Sequence, residues 1–252
     1  MDVFIDTNII FKDPFFKSLS AKILIKAAED EKVKLYLSKM VIEETERKYI
    51  TNCNIKKREF KKLMGDIKYL EREKINVPNV FEDFENEWWN FIYEMERKGI
   101  FTILGYKNSW LPEIVKRALD IKKPFKKNGQ GFKDCVIWLS YRDVATECIH
   151  ENSAFITENY SDFCDNEKLH PDLEKDAPNI KVYKSIKQFL ENEEDIIGNY
   201  DDEKLEEKIK ERINDEGLER IITDNYYEDI KEYCTHAIED ITEITLCDGT
   251  QL

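Results

Sequence analysis

The chain has 252 residues, 37% of them charged and 12% aromatic, with a net charge of -14. The aromatic content argues against a disordered chain, and the length allows one large domain, or one domain with an appendage. The acidity would argue against a nucleic-acid binder if it were evenly spread, but residues 191–252 hold 21 acidic and 6 basic residues while residues 1–190 hold 32 and 33, so the first part is balanced and the whole-chain charge says little about what it binds.

Residues 2–6 read as a short buried strand. Residues 15–30 read as a helix with Leu19, Ile23 and Ala27 on one face. Residues 33–37 alternate as a second strand, and Ser38 is placed to cap a long helix reaching about residue 74, where Asn76-Val77-Pro78-Asn79 breaks it. A further helix over about 82–98 carries Trp88, Trp89, Phe91, Ile92 and Met95, and Gly99 ends it. The tryptophan pair reads as core or interface rather than as a base-stacking platform. A short helix follows over 110–120 behind Ser109, and then a basic loop with one proline and two glycines at 122–131. The pattern closes with a helix over 132–150, strands at 153–157 and 180–183, and a helix at 186–191. This order predicts a three-layer α/β/α sandwich on a mostly parallel sheet, with sites at the carboxyl ends of strands.

From residue 193 the composition turns acidic, with helical stretches expected at about 202–214 and 217–240 and a strand-like run at 241–247. The expected division is therefore a domain over 1–192, with a helical insert at about 50–130, and an acidic, mainly helical region over 193–252. That second region is a candidate surface for self-association or a protein partner. No apolar run approaches the ~20 residues of a membrane span. The N-terminus lacks a basic segment followed by a long apolar one, so no signal peptide is expected. Six cysteines without a C-x-x-C pair, and only three histidines, argue against a structural zinc site and fit a reducing cytoplasm.

Four acidic positions stand beside apolar runs in segments far apart: Asp6 after Val3-Phe4-Ile5, Glu43-Glu44 opening the long helix, Asp134 before Cys135-Val136-Ile137-Trp138, and Asp162 after Phe155-Ile156-Thr157. A carboxylate is costly beside apolar packing. Several brought together repel one another unless a cation neutralises them, which points to a hard metal ion and to phosphate chemistry. Each acid also has an ordinary reading: a cap after a strand for Asp6, a surface helix position for Glu44, a favourable dipole position for Asp134, a loop cap for Asp162. Glu43 has Arg47 four residues on as an ion-pair partner, which makes it the more ordinary of its pair.

Taken in order, these segments resemble the PIN domain family of nucleases over residues 1–190, in a form closer to the larger bacterial PIN-like proteins than to compact toxins, because of the long stretch between Glu44 and Asp134. The pieces that carry the resemblance are Val3-Phe4-Ile5-Asp6-Thr7-Asn8, Val41-Ile42-Glu43-Glu44, Gly131-Phe132-Lys133-Asp134 and Phe155-Ile156-Thr157-Glu158-Asn159-Tyr160-Ser161-Asp162-Phe163. The first and last are the specific ones. The resemblance implies Asp6, Glu44, Asp134 and Asp162 as metal ligands and catalytic acids, with Asn8, Thr157 and Asn159 in support.

It also implies Mg²⁺ or Mn²⁺ as cofactor, and phosphodiester hydrolysis on nucleic acid, RNA ahead of DNA, in a toxin, defence or RNA-processing role. Candidate cations for the substrate backbone are Arg47, Lys48, Lys122, Lys123, Lys126, Lys127 and Lys133, besides the helical run Lys56, Lys57, Arg58, Lys61 and Lys62, which reads first as a solvated face. The alternatives are an inactive PIN-like scaffold that binds nucleic acid or protein, a structure-specific DNA nuclease, and a phosphatase. Asp6-Thr7-Asn8 lacks the D-x-D start that aspartyl-phosphate enzymes use.

Overall fold

The computed structural model describes residues 1–67, 84–147, 152–166 and 168–193. The chain opens with β1 (Asp2–Ile5), α1 (Thr7–Lys12), α2 (Leu19–Glu29), β2 (Lys34–Ser38) and α3 (Lys39–Ile67). It continues with α4 (Phe84–Arg97), β3 (Phe101–Leu104), a 3-10 turn at Asn108–Trp110, α5 (Leu111–Asp120) and α6 (Phe132–Glu147). The last part holds β4 (Ser153–Ile156), α7 (Tyr160–Phe163), β5 (Cys164–Asp165), β6 (Lys168–Leu169), α8 (Pro171–Glu174), β7 (Ile180–Tyr183) and α9 (Ile186–Asn192).

Five strands form one parallel sheet in the order β3-β2-β1-β4-β7, and β5 and β6 form a small antiparallel ribbon. β1 is central, so Val3, Phe4 and Ile5 are covered on both faces and fully buried, as is usual for parallel strands. Right-handed crossovers put the helices joining β1, β2 and β3 on one face and those joining β3 to β4 on the other. The connections step away from β1 in one direction and then return to its other side. The topological switch therefore lies between β1 and β4, where the loops leaving neighbouring strands diverge into a crevice.

The α/β/α sandwich expected from the sequence is present. The short elements between β4 and β7, namely α7, β5, β6 and α8, were not foreseen, and neither were α1 and β3. α1 follows β1 at once, because Asp6 Oδ1 accepts from the Thr7 amide at 2.7 Å and caps a helix in a stretch to which the sequence reading assigned no element. β3 is a four-residue apolar strand inside the stretch read as a helical insert, and it pairs with β2 from Leu35↔Phe101 to Ser38↔Leu104. The helix expected at 15–30 begins only at Leu19. Trp88 is fully buried, and Trp89 donates its indole hydrogen to Glu46 at 2.5 Å, so both serve the packing of α4 on α3. The break at 76–79, the last turn of the helix expected to reach residue 150, and everything foreseen beyond residue 193 lie outside the described residues. Among the described residues no helix is long and apolar enough to cross a membrane, and Cys53, Cys135 and Cys164 are free thiols.

Tyr141 joins the sheet to α6. Its ring stacks on Phe4 at 4.8 Å, its hydroxyl donates to the Ile5 carbonyl at 2.6 Å, and it accepts from the Ser38 amide at 3.1 Å. Both partners are at the carboxyl ends of adjacent strands. Asp134 lies seven residues earlier on the same helix, two turns along the same face, so this bond sets the depth at which Asp134 meets the crevice.

The basic loop before α6 is anchored from below. Buried Arg117 pairs with Asp176 and with Glu113, and donates to the Lys123 carbonyl at 3.1 Å. At its far end Gly131 has φ +117, and a Cβ there would stand 2.4 Å from the Pro124 carbonyl oxygen, so only glycine fits.

Candidate active site

Asp6, Glu44, Asp134 and Asp162 come from β1's end, α3, α6 and α7, and meet at the switch point. Asp6 is 2% exposed. Its Oδ1 accepts from the Thr7 amide, and its Oδ2 accepts from the Thr157 hydroxyl at 2.6 Å. Burial raises the Asp6 carboxyl to about 6, against the pull of these two hydrogen bonds, and the charges of Asp134 and Glu44 push the same way.

Glu44 lies one turn into α3. Its Oε2 accepts from the Thr7 hydroxyl at 3.2 Å, and its Oε1 pairs with Lys133 at 3.0 Å and Lys48 at 3.5 Å. Partial burial alone would raise its carboxyl, but Lys133, Lys48 and Thr7 outweigh it and hold Glu44 below the ordinary glutamate value. Glu43, one residue away, points elsewhere, pairing back along the helix with Lys39 at 3.9 Å and accepting from the Tyr106 hydroxyl at 3.0 Å.

Asp134 sits in the first turn of α6. Its carboxyl is raised by burial first, then by the charges of Asp162 and Glu44, with Lys126 opposing. Asp162 is buried; it accepts from the Asn159 amide side chain at 2.6 Å and pairs with Lys126 at 2.5 Å.

The supporting residues link the acids to one another. The Thr157 hydroxyl gives its hydrogen to Asp6 and accepts from the Asn159 amide at 3.0 Å. The Asn159 side chain reaches both Asp162 and, at 3.5 Å, Asp134. Asn8 accepts from Lys48 at 3.4 Å. Of the candidate cations, Lys48, Lys126 and Lys133 touch the acids, and Lys123 donates to the Ser161 carbonyl at 2.5 Å on the rim. Arg47 is exposed one residue before Lys48, and Lys122 and Lys127 are exposed on the loop.

Three further contributors were not singled out from the sequence: Thr7, which bonds Asp6 and Glu44 together; Ser161, whose hydroxyl donates to Asp162 at 3.3 Å; and Tyr141. For Tyr141 the heptad spacing from Asp134 was the one readable clue.

The donor set is all oxygen, which suits a hard divalent cation. Glu44 and Asp162 are neutralised by lysine, whereas among the described residues Asp6 and Asp134 make no ion pair. Each Asp6 oxygen has used one lone pair on a hydrogen bond and keeps another. Among the described residues no three acidic, histidine or cysteine side chains converge as a ready metal cage. Lys126 and Lys133 draw two of the carboxylates towards themselves. The residues fit a divalent cation in chemistry and charge, with lysines standing as the competing counter-ions.

The model of the PIN domain family matches residues 3–163, a span that includes all four acids. Comparison with curated proteins and with solved structures gave no match. The switch-point crevice, the four acids in order around it and the matched span together show that the chain belongs to the PIN domain family, whose members are in general nucleases.

Proposed function

We propose that the chain is an Mg²⁺- or Mn²⁺-dependent endonuclease that hydrolyses phosphodiester bonds of single-stranded RNA in preference to DNA, in the cytoplasm. The observation that carries the proposal is a pair of carboxylates, Asp6 buried and Asp134 half-buried, that make no ion pair among the described residues and are flanked by two acids held by lysines. Such an arrangement leaves local negative charge that a divalent cation would neutralise.

Asp6, Glu44, Asp134 and Asp162 would hold the ion. When bound, it supplies Lewis acidity towards the phosphate and towards a water at neutral pH. The chain's own residues supply orientation. Thr7 and Thr157 fix both oxygens of Asp6, and each oxygen keeps a lone pair for the ion. Asn159 holds Asp134 and Asp162 at a common edge. Lys126 and Lys133, which pair with Asp162 and Glu44 here, would be free to meet the phosphate backbone if a divalent cation took their place on those carboxylates. Neither histidine nor cysteine has a part in this scheme.

The test is cleavage of end-labelled single- and double-stranded RNA and DNA with Mg²⁺, Mn²⁺ or EDTA, with Asp134→Asn as control. The proposal expects single-stranded RNA to be cut fastest, and only with metal. Equal cutting in EDTA would reject metal dependence, and faster cutting of branched or duplex DNA would favour the structure-specific DNA nuclease.

A further inference from the structure

We propose that the groove between α1 and α3 is a base-binding subsite for an unpaired nucleotide of the substrate strand; this rests on the nuclease reading above and adds where the strand runs beyond the acids. The groove has a volume of about 370 Å³ and is lined by Phe11, Arg47, Lys48, Thr51, Asn52 and Ile55. That is within the range of small-molecule pockets.

Its position follows from helix periodicity. Glu44, Lys48, Thr51 with Asn52, and Ile55 fall on one stripe of α3, so the helix that carries the acid continues outward as one wall of the groove. From Glu44 to Ile55 the stripe runs about 16 Å at 1.5 Å per residue. Phe11 supplies the opposite wall from α1, the helix capped by Asp6, and α1 packs directly on α3.

Lys48 joins the groove to the site. Its ammonium is 3.5 Å from Glu44, 3.4 Å from Asn8 and 5.8 Å from the centroid of the Phe11 ring. A cation in that place serves the acids and the aromatic ring at once. Ile55 is 42% exposed at the outer end of the groove, on a helix that continues with Lys56, Lys57 and Arg58, so an apolar contact and cations lie side by side there.

The chemistry calls for a ligand with a flat apolar body and an adjacent negative charge. A nucleotide base on Phe11 and Ile55, with its phosphate by Arg47 and Lys48, meets both demands. Asn52 has a donor and an acceptor to offer a base edge. The base must be unpaired, because in a duplex both faces are already stacked on neighbours. The subsite therefore favours single strands and is tolerant of sequence.

The experiment measures fluorescence anisotropy of a labelled eight-nucleotide single-stranded RNA, its DNA counterpart and a duplex, with Ca²⁺ as the sole divalent cation and strand integrity checked on a gel. Wild type is compared with Phe11→Ala, Phe11→Tyr and Ile55→Ala, and thermal melts verify folding. A 4-thiouridine strand is also photo-crosslinked to wild type and the linked peptides mapped. We expect Phe11→Ala and Ile55→Ala each to weaken single-strand binding about tenfold, Phe11→Tyr to stay within about twofold, and cross-links to fall on α1 or the 47–55 stretch of α3. Wild-type binding that Ile55→Ala leaves unchanged, with cross-links elsewhere, overturns the subsite. Duplex binding with the same dependence on Phe11 also overturns it. Wild type that binds no single strand at all overturns the nuclease reading, and the subsite with it.

Discussion

The Thr157 hydroxyl donates to Asp6 Oδ2 at 2.6 Å across 151 residues of chain, and so ties the end of β4 to the end of β1 at the topological switch. The bond favours ionised Asp6 and works against the burial that raises its carboxyl to about 6. Thr157→Val keeps the shape and removes the donor. The Asp6 carboxyl then rises further, so the acid limb of the cleavage pH profile should move about one unit to higher pH. Thr157→Ser should keep the wild-type limb. Rate profiles from pH 5 to 8 check both.

Asp6 also makes a stability prediction of definite sign. Its folded carboxyl, about 6, lies above the ordinary value of 3.8, so between these values the folded protein holds a proton that the unfolded chain has lost. Stability from this group falls as pH rises through that window, and the full penalty, about 2–3 kcal/mol, stands above pH 6. Asp6→Asn does not titrate. It should therefore be more stable than wild type at pH 7.5 and close to it at pH 4, measured by urea denaturation. Mn²⁺ should narrow the gap at pH 7.5 by stabilising wild type alone.

Lys126 is the counter-ion of buried Asp162, and any ion held there must displace it. Lys126→Met should tighten Mn²⁺ binding severalfold by calorimetry. The same change should lower the metal-free melting temperature, since Asp162 and Asp134 then repel unscreened. Weaker Mn²⁺ binding would show that Lys126 supports the ion rather than competing with it.

Gly131 closes the basic loop where a Cβ would strike the Pro124 backbone, at a φ of +117. Gly131→Ala should cost about 2 kcal/mol or more and displace Lys126 and the start of α6 together. Chemical denaturation gives the first effect, and a loss of the Lys126→Met difference in Mn²⁺ affinity gives the second.

Much of the frame was legible because parallel strands are buried on both faces and read as short apolar runs. Asp6 and the segment Thr157 to Asp162 were readable because strand-end acids cluster there. Four-residue β3 was not, since a run such as Phe101–Leu104 after a helix has no period of its own. α1 was hidden because its start depends on a single capping bond from Asp6. The choice between Glu43 and Glu44 had no solution in helical periodicity; it needs Thr7 and, 89 residues away, Lys133 to be in place before the two acids differ. Long-range partners of this kind leave no local trace.

The central claim, that the four acids form a metal-dependent phosphodiesterase site, is tested most directly by single-turnover cleavage of labelled single-stranded RNA with Mn²⁺, comparing wild type and Asp6→Asn purified side by side. Wild-type cleavage that needs Mn²⁺, with a folded Asp6→Asn protein slower by about a thousandfold or more, is the expected result. Undiminished Mn²⁺-dependent cleavage by the variant would contradict it.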